Sequence, residues 1–194
     1  IKLWNTTAVS GGRVFVGTTT DQIAALSAAD GSTLWTYQAS AAVRAGAAAS
    51  GSQLVFGTMD NHVVALSQAS GAQLWSTLVD DAVVSVPTIT PDKVLVASRA
   101  GTMYALNASN GAVLWQRNGY GPLFYVTPAY DGSKVYFGAS STAGFVALNA
   151  TDGTTAWQNL TISPDQSSVA YANGYVYGRT TNGKLRVLNA SNGS

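Results

Sequence analysis

Short apolar runs bounded by polar and turn-forming residues recur along the whole chain. Val14-Phe15-Val16 and Val135-Tyr136-Phe137 are typical: β-branched or aromatic, and closed off by Gly. Such runs, punctuated by a glycine-containing turn every roughly 8–12 residues, read as strands. Helices are a poor reading, because apolar positions do not recur at three-to-four spacing. Asp30-Gly31, Ser70-Gly71, Asn110-Gly111, Asp152-Gly153 and Asn192-Gly193 follow successive runs and supply the positive φ angles that tight hairpins require.

The runs belong to a larger period. ALSAADGSTLW (25–35), ALSQASGAQLW (65–75), ALNASNGAVLW (105–115) and ALNATDGTTAW (147–157) end alike, and VLNASNGS (187–194) begins a fifth copy. Trp35, Trp75, Trp115 and Trp157 recur at a nearly constant interval. Each unit predicts four strands, A to D. In the second they fall at Val43–Ala49, Gln53–Thr58, His62–Ser67 and Gln73–Thr77. A four-stranded antiparallel unit of this length, repeated in series, predicts an all-β propeller with blades at about 1–38, 39–79, 80–119, 120–161 and 162–194. The small Ala25, Ala65, Ala105 and Ala147 on strand C leave room beside the strand. The large Trp on strand D then covers the gap between neighbouring blades.

Counting places the ends of the pattern. The stretch from Trp4 to Gly11 is less than half as long as the equivalent stretch from Trp35 to Gly51. Four strands at ~4.8 Å put the edges of a blade ~14 Å apart, and the shorter stretch cannot cross that gap and also form strand A. Leu3–Val9 is therefore read as strand A, like Val83–Ile89 and Phe124–Tyr130, and the fifth unit lacks its Trp-bearing outer strand. Two readings stay open: an excerpt of a seven- or eight-bladed ring, or a five-bladed ring whose last blade is incomplete. In either, the bare edge is a template for strand completion by a missing segment or another subunit.

Composition narrows the function. The 194 residues carry a net charge of +1 and only 10% charged side chains, against about 25% in an average domain. A nucleic-acid partner is not expected without a basic face. Cysteine is absent, which excludes disulfides, thiol nucleophiles and zinc–thiolate sites. No apolar run is long enough to span a membrane. Low charge with abundant Ser, Thr and Ala favours export.

Val14–Trp35, Leu54–Trp75, Val94–Trp115 and Val135–Trp157 resemble the pyrroloquinoline quinone (PQQ) enzyme repeat, V-Y-V-G-x-x-D-G-x-L-Y-A-L-[DN]-A-x-[TS]-G-x-x-L-W. That resemblance covers nearly the entire chain. It implies either a PQQ-dependent alcohol or sugar dehydrogenase or a non-catalytic interaction platform, as in outer-membrane assembly lipoproteins. The alcohol dehydrogenases use a vicinal Cys–Cys pair, a catalytic Asp, calcium held by carboxylates or amides, and a Trp stacked on the quinone. The Cys pair is missing here, and there is no Glu. Among the nine Asp, only Asp21, Asp60 and Asp80-Asp81 fall on loops that could face one mouth of the ring.

The remaining candidates are few. Asp60 could orient His62, the sole histidine. Arg44 is the only charge on the inner strands, which include Trp4, Ser85, Tyr125 and Ser168. Tyr120, Phe124 and Tyr125 flank Gly121-Pro122 in a D–A loop bulkier than its counterparts. Asn5, Asn107, Asn149, Asn159, Asn189 and Asn192 head Asn-x-Ser/Thr triplets, which are candidate glycosylation acceptors. The resulting expectation is a non-catalytic, exported binding or scaffold module without cofactor or metal, contacting protein or an extracellular ligand through the loops at one mouth. The alternatives are part of a PQQ- and calcium-dependent alcohol or sugar dehydrogenase, or a structural cell-surface or filament glycoprotein subunit.

Overall fold

The computed structural model describes residues 7–18, 20–140, 143–165 and 168–194. Among these residues, nineteen strands form five antiparallel sheets. Blade 1 holds β1 (Ala8–Ser10), β2 (Arg13–Gly17), β3 (Gln22–Ser27) and β4 (Thr33–Gln38). Blade 2 holds β5 (Ala48–Ser50), β6 (Gln53–Gly57), β7 (His62–Ser67) and β8 (Gln73–Leu78). Blade 3 holds β9 (Thr88–Ile89), β10 (Lys93–Ala97), β11 (Met103–Asn107) and β12 (Val113–Arg117). Blade 4 holds β13 (Ala129–Tyr130), β14 (Lys134–Gly138), β15 (Phe145–Asn149) and β16 (Thr155–Asn159). Blade 5 has three strands, β17 (Ala170–Ala172), β18 (Tyr175–Arg179) and β19 (Leu185–Asn189).

Within each sheet the strands follow chain order, so the A–B and C–D turns lie at one end and the B–C turns and D–A loops at the other. The first strands of neighbouring blades approach each other, β1 to β5, β5 to β9 and β13 to β17. The inner strand is shorter than the sequence pattern predicts. Val43–Ala49 reads as strand A, but only Ala48–Ser50 pair with β6. Val43, Arg44 and Ala45 belong to the crossing from the outer strand, and Ser85 and Tyr125 lie on the matching crossings. Burial explains the difference, since Val43 and Ala45 are as buried as strand residues while lying outside any strand. Trp4 lies outside the described residues.

Each blade–blade seam has its own core. Phe15, Ile23 and Ala25 of blade 1 lie against Leu54, Phe56, Val64 and Leu66 of blade 2. Val55, Val63 and Ala65 meet Val94, Val96, Tyr104 and Leu106. Leu95, Ala97 and Met103 meet Val135, Phe137, Val146 and Leu148. Tyr136, Phe145 and Ala147 meet Val176 and Leu188. Among the described residues these four clusters join the five blades in series. On the outer face of blade 5, Leu185 and Val187 are 68% and 52% exposed.

The indoles clamp the seams. Trp35, Trp75, Trp115 and Trp157 donate Nε1–H to the carbonyls of Gln68, Ala108, Ala150 and Ala190 in the next blade, at 3.0, 3.0, 2.9 and 2.8 Å. Each pairs across its own sheet with Ala25, Ala65, Ala105 or Ala147. A register shift just beyond that alanine throws the preceding residue of strand D outward, which leaves Leu34, Leu74 and Leu114 exposed. The glycine of the next C–D turn lies under the indole. A Cβ on Gly71, Gly111 or Gly153 would sit 2.7, 2.6 or 2.7 Å from the Trp ring. These glycines also hold φ near +73°, +74° and +72°, so one position serves both turn and seam.

Candidate functional site

The D–A loops and B–C turns gather most of the polar residues singled out in the sequence. Their local structure follows from small hydroxyl residues at the end of strand B. Thr58 Oγ1 accepts the His62 N–H at 3.0 Å and donates to Asp60 Oδ1 at 2.5 Å, closing the turn. Asn61 occupies the left-handed region at φ +69°, a role that Asn fills better than most residues. His62 opens β7, with Nδ1 2.9 Å from the Asp60 carbonyl oxygen and 3.6 Å from its carboxylate. Burial opposes ionisation of Asp60. The hydroxyls of Thr58 and Ser40 and the nearby His62 outweigh it, and the carboxyl sits below its ordinary range. The pair therefore latches a turn.

Asp80 and Asp81 do not act as a pair. Asp80 accepts a hydrogen bond from the Thr102 hydroxyl, and its N–H donates to the Tyr104 hydroxyl oxygen at 3.2 Å. Asp81 takes a bidentate contact from Arg99, at 3.2 and 3.1 Å, and also accepts the Ala82 N–H at 2.7 Å. The Ala82 bond and then Arg99 draw its carboxyl below the usual range, against an opposing effect of burial. Both residues tie the loop entering blade 3 to the B–C turn of that blade. Arg99 and Thr102 have no signal of their own in the sequence; only the loop packing pairs them with the carboxylates. Because the ion pair is largely solvated, Arg99→Ala is expected to change the unfolding free energy by no more than ~1 kcal/mol, as chemical denaturation would measure.

The aromatic loop separates into two parts. Tyr120 is only 8% exposed and packs edge-on against Phe137 at 4.9 Å. It is a core residue, which corrects its reading as a contact residue. Phe124 and Tyr125 are 37% and 63% exposed. The stretch from the Trp to the A–B turn carries one more residue at Trp115–Asp131 than at Trp35–Ser50 or Trp75–Thr90. Within that stretch Tyr125 holds φ +57°, a costly conformation for a bulky side chain. Its carbonyl oxygen accepts from the Ser168 hydroxyl of blade 5 at 3.4 Å. Arg44 is exposed at the corresponding crossing of blade 2.

The Asn-x-Ser/Thr asparagines hold turns. Asn107, Asn159, Asn189 and Asn192 each accept both the N–H and the hydroxyl of the residue two positions on. Asn149 and Asn159 further commit their side-chain NH2, to Thr154 Oγ1 and the Gly193 carbonyl. Asn5 lies outside the described residues. At the opposite rim, Asp131 accepts from the Tyr136 hydroxyl, the N–H groups of Ser133 and Lys134, and the Ser133 hydroxyl. Burial works against its ionisation, but these donors prevail and its carboxyl is lowered. A lowered folded value stabilises above the ordinary carboxylate range and loses that stabilisation as pH falls through the folded value. Thermal melts should therefore drop on acidification below pH ~4, with a smaller drop in Asp131→Asn.

Could these residues hold a quinone and calcium? Asp60, Asp80 and Asp81 on the loop face are each committed to a hydroxyl or a guanidinium, and no group of three acidic or imidazole ligands occurs among the described residues. The described side chains do not present the carboxylate set that a calcium–quinone site needs.

Radially packed four-stranded sheets with indole-clamped seams define a β-propeller of PQQ-type repeats. The family model described as outer membrane protein assembly factor BamB matches residues 2–90, 40–168 and 85–194, and the chain belongs to that family. A search of curated proteins gives no match. Among solved structures, BamB from Moraxella catarrhalis is 21% identical with a TM-score of 0.82, covering 99% of this chain and 62% of its own. The computationally designed Ika8 protein is 16% identical with a TM-score of 0.83, covering 99% and 59%. Quinohemoprotein alcohol dehydrogenase from Comamonas testosteroni is 16% identical with a TM-score of 0.85, covering 100% and 42%. The chain thus spans about two fifths to three fifths of the length of these proteins, and at such identities the likeness shows the fold.

Proposed function

We propose that this chain is a binding scaffold of the cell envelope, which contacts a protein partner through the face formed by its D–A loops and B–C turns. The observation that carries the reading is the exposed Phe124–Tyr125 pair. In this longer loop a tyrosine at φ +57° stands beside Phe124, and both aromatic residues are exposed. Exposed aromatic anchors concentrate binding energy at protein interfaces. The BamB family model and the M. catarrhalis structure support a protein partner and a periplasmic or outer-membrane setting.

The test is photocrosslinking in an exporting host, with a photoreactive residue at Phe124 or Tyr125. A discrete adduct is expected at both positions and none at Leu34 on the outer rim. Once the partner is known, Phe124→Ala with Tyr125→Ala should weaken binding at least about tenfold without lowering the melting temperature. The alternative is a dehydrogenase role, supported by the likeness to quinohemoprotein alcohol dehydrogenase. Dye-linked oxidation of alcohols after reconstitution with PQQ and Ca²⁺, without any crosslink, would replace the scaffold reading.

A further inference from the structure

A groove opens between blades 4 and 5 at the end of the A–B and C–D turns, opposite the loop face. Its volume is about 400 Å³, and it is lined by Asp131, Lys134, Tyr171, Asn173, Tyr175 and Asn189, with Tyr136 at its base. The repeat itself supplies the shape, since a groove of about 250 Å³ lies at the same place between blades 2 and 3. The linings differ. Where the first groove has Ile89, Pro91 and Gln53, the second has Tyr171, Asn173 and Lys134. The departures bring in an aromatic ring, an amide and an ammonium.

The geometry is that of a platform with a polar border. Tyr171 stacks on Tyr136 with centroids 5.7 Å apart and planes 8° from parallel. Tyr136 is fully buried and donates its hydroxyl to Asp131 at 2.6 Å, which fixes the lower ring. Tyr171 is 36% exposed, so the ring packed on that fixed base keeps part of its surface open. Tyr175 stands beside it, 46% exposed. The Asp131 carboxylate is held by the Tyr136 hydroxyl and by its own turn and keeps its negative charge at one end of the groove. Asn173, at φ +51°, and Asn189 bring amides to the rim, and Lys134 brings an ammonium.

We propose that this groove is a saccharide-binding site, in which a pyranose lies against Tyr171 while Asn173, Asn189 and Lys134 address its hydroxyls. A pyranose presents an apolar face of C–H groups ringed by hydroxyls. An aromatic ring with one polar edge matches it, and a few placed polar groups in a concave site give orientation. The site lies at the opposite end of the sheets from the proposed protein interface and does not depend on it. No bond is made or broken, so the role is recognition.

Saturation-transfer NMR on the intact chain tests this, with cellobiose, N,N′-diacetylchitobiose and digalacturonate as probes at about 20 mM, a range suited to weak sites. Transfer to the ring C–H protons of at least one probe is expected. Tyr171→Ala should weaken it at least about tenfold, whereas Tyr171→Phe should retain it. Asn173→Gly keeps the turn conformation, so its weaker binding would locate the sugar even if Tyr171→Ala unfolds. No transfer from any probe, or transfer that survives both Tyr171→Ala and Asn173→Gly, would overturn the proposal.

Discussion

Trp75→Ala is expected to lower the unfolding free energy by about 3–5 kcal/mol, the range for deleting a buried Trp side chain. The indole is 6% exposed and spans the seam between blades 2 and 3. Removing it empties that space and strips the Ala108 carbonyl of its 3.0 Å donor, a further penalty for an acceptor left unsatisfied. Gly111 then faces the void, and its left-handed turn has no ring to collapse onto. Stacked repeats are stabilised largely through nearest-neighbour seams, so the denaturant transition should also broaden or divide. Trp75→Phe refills much of the volume without the donor and should recover most of the loss. An unchanged midpoint and slope in Trp75→Ala would contradict the clamp.

The second large effect concerns Gly101, in the B–C turn of blade 3. Its φ is +95°, and a Cβ there would lie 2.2 Å from the Gly121 carbonyl oxygen. The obstacle is backbone, which cannot rotate aside as a side chain can. Gly101→Ala should cost about 2–4 kcal/mol through strain and collision together. Gly119→Ala separates the two, because its φ is also +95° but nothing lies within 4 Å of its Cβ; strain alone should cost about 1 kcal/mol. Gly121 leads into Leu123, Phe124 and Tyr125. Gly101→Ala should therefore also move the aromatic pair and weaken partner binding, while Gly119→Ala leaves binding intact. Equal effects of the two substitutions on stability and binding would refute the packing account.

Much of the candidate site is legible as departures from the repeat. Phe124 and Tyr125 stand out because their loop is longer and bulkier than its counterparts, and the structure leaves both rings in solvent. Tyr120 stands out for the same reason, but the T-shaped contact with Phe137 claims it for the core. Charge is a poorer guide. Asp80 and Asp81 fall on a loop that could face one mouth of the ring, yet each side chain is taken by a different partner in the next B–C turn, Thr102 and Arg99. The Tyr171 position carries Ala49 in blade 2, Ile89 in blade 3 and Tyr130 in blade 4, so the tyrosine alone does not mark the groove. Nor does anything along the chain say that a second tyrosine lies beneath it.

The pattern along the chain is enough to specify the blade. Short apolar runs, left-handed glycines in the turns and one Trp per unit call for four short antiparallel strands with a face that must be covered. These are local or nearest-neighbour properties, and a repeat writes them several times over. Packing in three dimensions sets the rest: how short the inner strand is, which aromatic rings are buried, what each carboxylate binds, and how each seam between neighbouring blades is filled. Those outcomes depend on partners far apart in sequence, as Trp75 is from Ala108 and Asp80 from Thr102. Proximity of that kind arises from how blades pack against one another, and no periodicity of apolar and polar positions encodes it.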